Sequence, residues 1–175
     1  MIRKYVAICL VLFSIGLSAE RVAYSTVSRA TAFAWRLTSG AKTTRVKVYL
    51  VAVGDNGKKG RKIGCEDSLV AMSRTITSTN SPLRAALDEL LATPEEHNES
   101  GLQLGNYWKG SDLKVKSVSL KGGTATIWIT GTLTVAGICD EPRITEQITA
   151  TARQFRTVKR VRVFVNGTPL KQAIR

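Results

Sequence analysis

Alternation of apolar and polar positions marks the first clear element. Val46, Val48 and Leu50 alternate with Lys47 and Tyr49, the period of a half-buried strand. Gly54-Asp55-Asn56-Gly57-Lys58-Lys59-Gly60 ends that run as a turn-rich loop. A second β-type run, Leu69 to Thr77, sets Val70, Met72 and Ile76 amid Ser and Thr. The period then changes. Leu83, Ala86, Leu87, Leu90 and Leu91 recur at i, i+3, i+4, i+7 and i+8, which predicts a helix with one apolar stripe. Arg84, Asp88 and Glu89 take its other face. Ser81 stands as its N-cap, with Pro82 at the first helical position, and Pro94 stops it.

Glu95 to Gly110 is polar, and no element is predicted there. Leu113 to Leu120 and Thr124 to Leu133 then read as two strands around Lys121-Gly122-Gly123, a hairpin signal. Ala125, Ile127 and Ile129 are expected to face the core, with Thr126, Trp128 and Thr130 opposite. Gly137 to Pro142 is a turn that delivers Asp140 as the next N-cap, because the first N–H groups of a helix need an acceptor. Ile144, Ile148, Ala152 and Phe155 form the buried face of a second helix. Val161, Val163 and Val165 alternate with Arg160, Arg162 and Phe164 as a last strand, and Asn166-Gly167 turns the chain out. The order β-β-α-β-β-α-β predicts an α+β domain of two layers, a mixed or antiparallel sheet with two helices on one face.

A chain of 175 residues holds one such domain and its appendages. Arg3 and Lys4 precede an apolar run from Tyr5 to Leu17, and Leu17-Ser18-Ala19 offers a cleavage site before Glu20. This is the layout of a secretory signal peptide. The run is shorter than the roughly 20 residues that span a bilayer; retention as an uncleaved anchor is the alternative. Residues 20–44, with Arg21, Arg29, Arg36 and Lys42 spread among Ser, Thr and Ala, read as a flexible basic lead-in. Phe33, Trp35 and Leu37 alternate within it, enough for a short strand. The domain proper is expected over 45–170, followed by a tail, 171–175.

Export changes the reading of the cysteines. Cys9 leaves with the signal peptide, and Cys65 and Cys139 remain as a pair in an oxidising compartment. A disulfide between them is expected. A metal site needs about four ligands, and only His97 could join the cysteines, so neither a metal nor a cofactor is expected. His97 lies in the acidic, polar run Thr93 to Ser100, where nothing pairs it with a nucleophile. The adjacent carboxylates Asp88 and Glu89, Glu95 and Glu96, and Glu66 and Asp67 are poor glycosidase pairs, since neighbours on a helix point about 100° apart. No catalytic residue is assigned.

The formal charge is +13, from 26 basic and 13 acidic residues. Loss of residues 1–19 removes two basic residues and no acidic one, leaving +11. Such a balance favours anionic partners. Lys58, Lys59, Arg61 and Lys62 form one basic cluster, and Arg153, Arg156, Lys159, Arg160 and Arg162 form another, with Phe155 and Phe164 among them. The second cluster is the candidate contact surface.

Several motifs occur together in a specific order: Ile63-Gly64-Cys65-Glu66-Asp67-Ser68-Leu69-Val70, the Pro82-Leu83-Arg84-Ala85-Ala86-Leu87 helix, and Cys139-Asp140-Glu141-Pro142-Arg143-Ile144. Gln147-Ile148, Thr151-Ala152 and Gln154-Phe155 follow, then Val158 and Val161-Arg162-Val163-Phe164-Val165-Asn166-Gly167. This combination, over roughly Arg45 to Leu170, resembles the GerMN domain named after a spore-germination protein, in a single-domain secreted form with a cysteine pair. The resemblance implies an extracytoplasmic interaction or assembly module with no established active site. It also implies self-association through strand edges, as in related ring-building motifs. The chain departs from the spore protein in holding one such domain and in lacking a lipid-anchor cysteine. The expected function is a non-catalytic binding module of the bacterial cell envelope, with an envelope protein or an anionic wall polymer as partner. The alternative is a secreted protein that binds polyanions, wall polymer or nucleic acid, through charge. A wall hydrolase ranks below both.

Overall fold

A computed structural model describes residues 41–99 and 101–175. The expected signal segment and residues 20–40, including the Phe33, Trp35 and Leu37 alternation, lie outside the described residues. Strand β1 runs over Thr43–Ala52 and antiparallel β3 over Ser68–Thr77, paired along their length from Thr43 opposite Thr77 to Ala52 opposite Ser68. Thr43 and Thr44, expected in the lead-in, are therefore already strand. Between them lie the two-residue strand β2, Arg61–Lys62, and a single 3₁₀ turn at Gly64–Glu66. Helix α1 spans Pro82–Ala92, with Ala86, Leu87 and Leu90 buried. Its apolar stripe faces β1, as the period of the sequence requires.

The polar run after α1 is not a loop. Glu96–Glu99 forms β4 and Leu102–Gly105 forms β5, an antiparallel hairpin. It joins β1 through one pair, Gly105 opposite Val51. The result is a five-stranded antiparallel sheet in the order β2-β3-β1-β5-β4. Strand β6, Gly110–Lys121, and β7, Thr124–Leu133, belong to a second sheet with β8, Arg160–Val165, and β9, Thr168–Pro169, in the order β6-β7-β8-β9. The expected α+β class holds, and the long elements keep the order β-β-α-β-β-α-β. The single expected sheet is instead two. Period-two patterning fixes which face of a strand is buried but not which strand it pairs with.

Helix α2, Asp140–Arg153, carries the chain from β7 to parallel β8. It packs on β1 of the first sheet and β8 of the second, while α1 packs on β1 and β6. The two helices thus join the sheets. One core cluster takes Val48 and Leu50 from β1, Leu87 and Leu90 from α1, Ile127 and Ile129 from β7, and Ile144 and Ile148 from α2. Ala125, Ile127 and Ile129 face inward and Thr126, Trp128 and Thr130 outward, as the alternation predicts. Phe155 lies beyond the end of α2 and is half-buried.

Two tight turns close the second sheet. Gly122 and Gly123 have φ of +53° and +72°, and Asn166 and Gly167 have +49° and +84°. Paired positive φ values match the right-handed twist of a two-residue hairpin. The second turn does not lead the chain out. It folds β9 back on β8, and a short helix α3, Leu170–Ala173, follows. Leu170 and Ile174 are buried in the core, so the expected tail is part of the domain.

Candidate contact surface

The Cys65–Cys139 disulfide ties the 3₁₀ turn to the residue before α2, with Cα atoms 5.8 Å apart. An ion pair repeats the tie two residues on. Arg143 Nε lies 2.6 Å from Asp67 Oδ2, and Asp67 is fully buried. The other Asp67 oxygen accepts from Gly54 N at 2.9 Å. Arg143 Nη1 is 3.6 Å from Asp140 Oδ1, and its guanidinium sits 4.6 Å from the centre of the Tyr107 ring, a cation–π contact. Burial opposes the charge on Arg143, yet Asp67, Tyr107 and Asp140 together hold its pKa above the ordinary value. Burial in turn raises the Tyr107 phenol above its usual range. The disulfide and the Asp67–Arg143 pair thus brace the 3₁₀ turn against α2.

The expected caps are placed differently. Ser81 is the N-cap residue of α1, but its hydroxyl makes no capping hydrogen bond. Asp140 is not a cap. The N-cap position belongs to Cys139, and Asp140 is the first helical residue. Its Oδ2 accepts from Ala136 N at 2.8 Å, which closes the loop before α2. Cys139 itself has helical geometry, φ −75° and ψ −15°, and the helix starts one residue earlier than expected.

His97 sits in β4 with Nε2 3.0 Å from Arg74 Nη2. Of the carboxylates, Asp88 pairs with Arg84 at 3.4 Å and Glu95 with Lys109 at 2.8 Å. The hydrogen bond from Lys109 to Glu95 raises the lysine pKa. Glu66 is exposed while Asp67 is buried, so that pair cannot flank one bond. Among the described residues no group of His, Cys, Asp and Glu has the arrangement of a metal site, and no helix is long and apolar enough to cross a membrane.

The five cations chosen from sequence lie on consecutive pieces of the chain. Arg153 ends α2, Arg156 and Lys159 lie in the connection that follows, and Arg160 and Arg162 point outward from β8; all five are exposed. The backbone N–H groups of Lys159 and Arg160 donate to Gly123 O, which fixes the connection against the β6–β7 turn. Arg160 reaches across β7 to Thr124 Oγ1 at 3.0 Å. Register then defines the outward face of this sheet. Thr124, Thr126 and Trp128 on β7 stand beside Arg160, Arg162 and Phe164 on β8 and beside Lys121, Ser119 and Ser117 on β6. The Trp128 and Phe164 rings are stacked, with centroids 6.1 Å apart and planes 15° apart.

Three residues have a role that sequence reasoning did not assign. Gln147 and Thr151 on α2 and Gln154 just after it form a polar stripe along the free edge of β1. Lys47 N donates to Gln154 Oε1 at 2.7 Å and Gln154 Nε2 donates to Lys47 O at 2.6 Å. Tyr49 N donates to Thr151 Oγ1 at 3.3 Å, and Gln147 Nε2 donates to Tyr49 O at 2.9 Å. Helix side chains here stand in for a neighbouring strand, and β5 takes over at Val51. Arg84 of α1 acts similarly on β6, donating to Val115 O at 2.6 Å and Lys116 O at 3.3 Å. The usable signal was the spacing of four and three among polar residues beside the apolar stripe.

The model of the Germane family, described as sporulation and spore germination, matches residues 47–171. The chain belongs to this GerMN family. The first GerMN domain of the sporulation protein GerM from Bacillus subtilis is similar in fold, with TM-score 0.53 and 24% identity over 73% of this chain and 86% of that one. The tandem GerMN domains of the same protein give TM-score 0.51 and 21% identity over 75% of this chain, which spans only 43% of theirs. No curated protein matches the chain. The GerMN core in this chain thus carries the stapled corner, the α2-covered edge of β1 and the basic face of the second sheet.

Proposed function

We infer that this GerMN chain is a non-catalytic binding module that works outside the cytoplasmic membrane and meets its partner through the basic end of the second sheet. The observation that carries this reading is that Arg153, Arg156, Lys159, Arg160 and Arg162 are all exposed, with Lys159 and Arg160 held against the Gly122–Gly123 turn. Solvent-facing cations at one end of a sheet create a field that draws in an anionic partner. The disulfide supports an oxidising compartment, and with it the export expected from residues 1–19. The catalytic candidates of the sequence sit in ion pairs or apart from one another, which favours binding over turnover.

Edges constrain how protein contacts form. The β1 edge is engaged by α2 at Lys47 and Tyr49, and the β6 edge by α1 only at Val115 and Lys116, so strand pairing with a second copy is left to the outer edge of β4 and the unpaired stretches of β3, β6 and β8. The overall charge of +13 favours the alternative reading, a polyanion binder. One experiment separates the two. The chain is immobilised and exposed to envelope extract, then washed at low and high salt. A discrete protein kept at high salt and lost with Arg153→Glu/Arg156→Glu/Lys159→Glu supports the protein-binding module. Polymer released by salt supports the polyanion reading, because counterion release makes such binding steeply salt-dependent. Retention unchanged by the triple variant places the contact elsewhere and sinks the assignment of this surface.

A further inference from the structure

The outward face of the β6-β7-β8-β9 sheet combines three chemistries that are seldom set side by side. Trp128 and Phe164 provide a stacked aromatic pair, half-buried with outward-facing surface. Arg162 stands in the next outward row and Arg160 and Lys121 in the row beyond it, and no carboxylate occupies the face between Lys121 and Phe164. Ser117, Ser119, Thr124 and Thr126 add a row of hydroxyls. A groove of about 590 Å³ continues past the β8 edge toward α2, sharing Arg162 and Phe164 with the face and adding Thr145, Thr149 and Lys171. Glu141 at α2 is the carboxylate among its lining residues.

We propose that this face and groove bind an anionic polysaccharide, with Trp128 and Phe164 stacking on sugar rings and Arg162 and Lys171 holding the acidic groups. The inference rests on the binding-module reading above and names the chemical class of its partner. A pyranose ring has one face of C–H bonds, and the negative face of an aromatic ring attracts their positive ends. The planar guanidinium forms two parallel hydrogen bonds to a carboxylate or phosphate. The Arg162 side chain makes no ion pair or hydrogen bond among the described residues and is exposed, so its donors face solvent. The hydroxyl row matches the hydroxyls of a polysaccharide. Aromatic and basic side chains on a sheet also suit single-stranded nucleic acid, but the Cys65–Cys139 bond favours an oxidising compartment outside the reducing cytosol, away from the cell's nucleic acid.

The test uses the full chain and four probes: polygalacturonate, polyglutamate of equal charge, neutral dextran and single-stranded oligothymidylate. Polygalacturonate is expected to bind at least about tenfold more tightly than polyglutamate, a ratio that the sugar rings must supply. Trp128→Ala is expected to remove that advantage while leaving polyglutamate unchanged, and Trp128→Phe to keep most of it. Arg162→Ala is expected to weaken polygalacturonate and flatten its salt dependence. The melting temperature of each variant, with fluorescence of the buried Trp108, checks folding. Equal binding of polygalacturonate and polyglutamate, both lost in Arg153→Glu/Arg156→Glu/Lys159→Glu, overturns the glycan inference and leaves the polyanion reading standing. Trp128-dependent binding of oligothymidylate in preference to polygalacturonate overturns it in favour of nucleic acid. If neither acidic polymer binds, the inference fails, while salt-resistant capture of an envelope protein still decides the proposed function separately.

Discussion

Gln147 carries three hydrogen bonds on a side chain that water does not reach. Its Nε2 donates to Tyr49 O and to Asn106 Oδ1, and its Oε1 accepts from Tyr107 N at 2.8 Å. Truncation removes one partner from each of three groups, and a buried polar group left alone costs about 1–3 kcal/mol. Water entering the vacated space recovers part of that. Gln147→Ala is expected to lose about 2–4 kcal/mol in urea denaturation, against about 1 kcal/mol for Gln154→Ala, whose bonds lie in reach of solvent. A loss below 0.5 kcal/mol for Gln147→Ala, a surface-like value, would show that its network is dispensable. Asp55 gives a residue-level pH effect. A hydrogen bond from Ser68 and others from the Lys59 and Gly57 N–H groups lower its pKa below the ordinary 3.8. The contribution of a depressed carboxylate is present above its unfolded value and is lost as pH falls through the folded one. The Gly57 and Lys59 amide resonances are therefore expected to hold steady from neutral pH to about 4 and to shift together below it. A midpoint above the ordinary value would contradict the assignment.

Between elements, the disulfide and the Asp67–Arg143 pair are parallel ties from the 3₁₀ turn to α2. The cysteines are 74 residues apart, and a loop of that size is stabilised by about 4 kcal/mol in the chain-entropy model. Reduction is expected to lower urea stability by that order while α2 stays docked through Arg143, Gln147 and Gln154. Cys65→Ser/Cys139→Ser should match the reduced protein. Loss of all helical signal on reduction would mean that the bond is required for the fold and is not merely a reinforcement. The long elements were legible because their apolar residues repeat at 2 or 3.6 residues. The β4–β5 hairpin was not, since Glu96-His97-Asn98-Glu99 has no apolar alternation and is held by main-chain pairing. The proposed basic contact surface was legible as a cluster of charge. Its aromatic partner Trp128 was legible only as outward-facing, because the β7–β8 register that sets it beside Phe164 is a tertiary fact. The role of Asp140 was misread by one position, since Cys139 takes the N-cap place and the Asp140 carboxylate instead accepts from Ala136 N.

At the scale of the whole molecule, the exposed cations from Arg153 to Arg162 are the test of where charge acts. Arg153→Glu/Arg156→Glu/Lys159→Glu is expected to change stability by less than about 1 kcal/mol, since exposed charges away from tight contacts rarely matter more. The same variant should weaken binding to any acidic polymer and reduce the slope of log affinity against log salt. An unchanged slope would mean that the net charge, and not this patch, governs the attraction. The covered edge of β1 has a further consequence, for the order of events in synthesis. Lys47 is closed by a residue 107 positions later, and Tyr49 by residues 102 and 98 positions later. Until α2 has emerged, β1 and β3 form a hairpin with bare main-chain groups at one margin, a state open to pairing with other chains. Such distant closure slows folding, so the nascent protein needs shielding for nearly the whole of its length. A chain truncated before Gln147 will precipitate rather than persist as a soluble half.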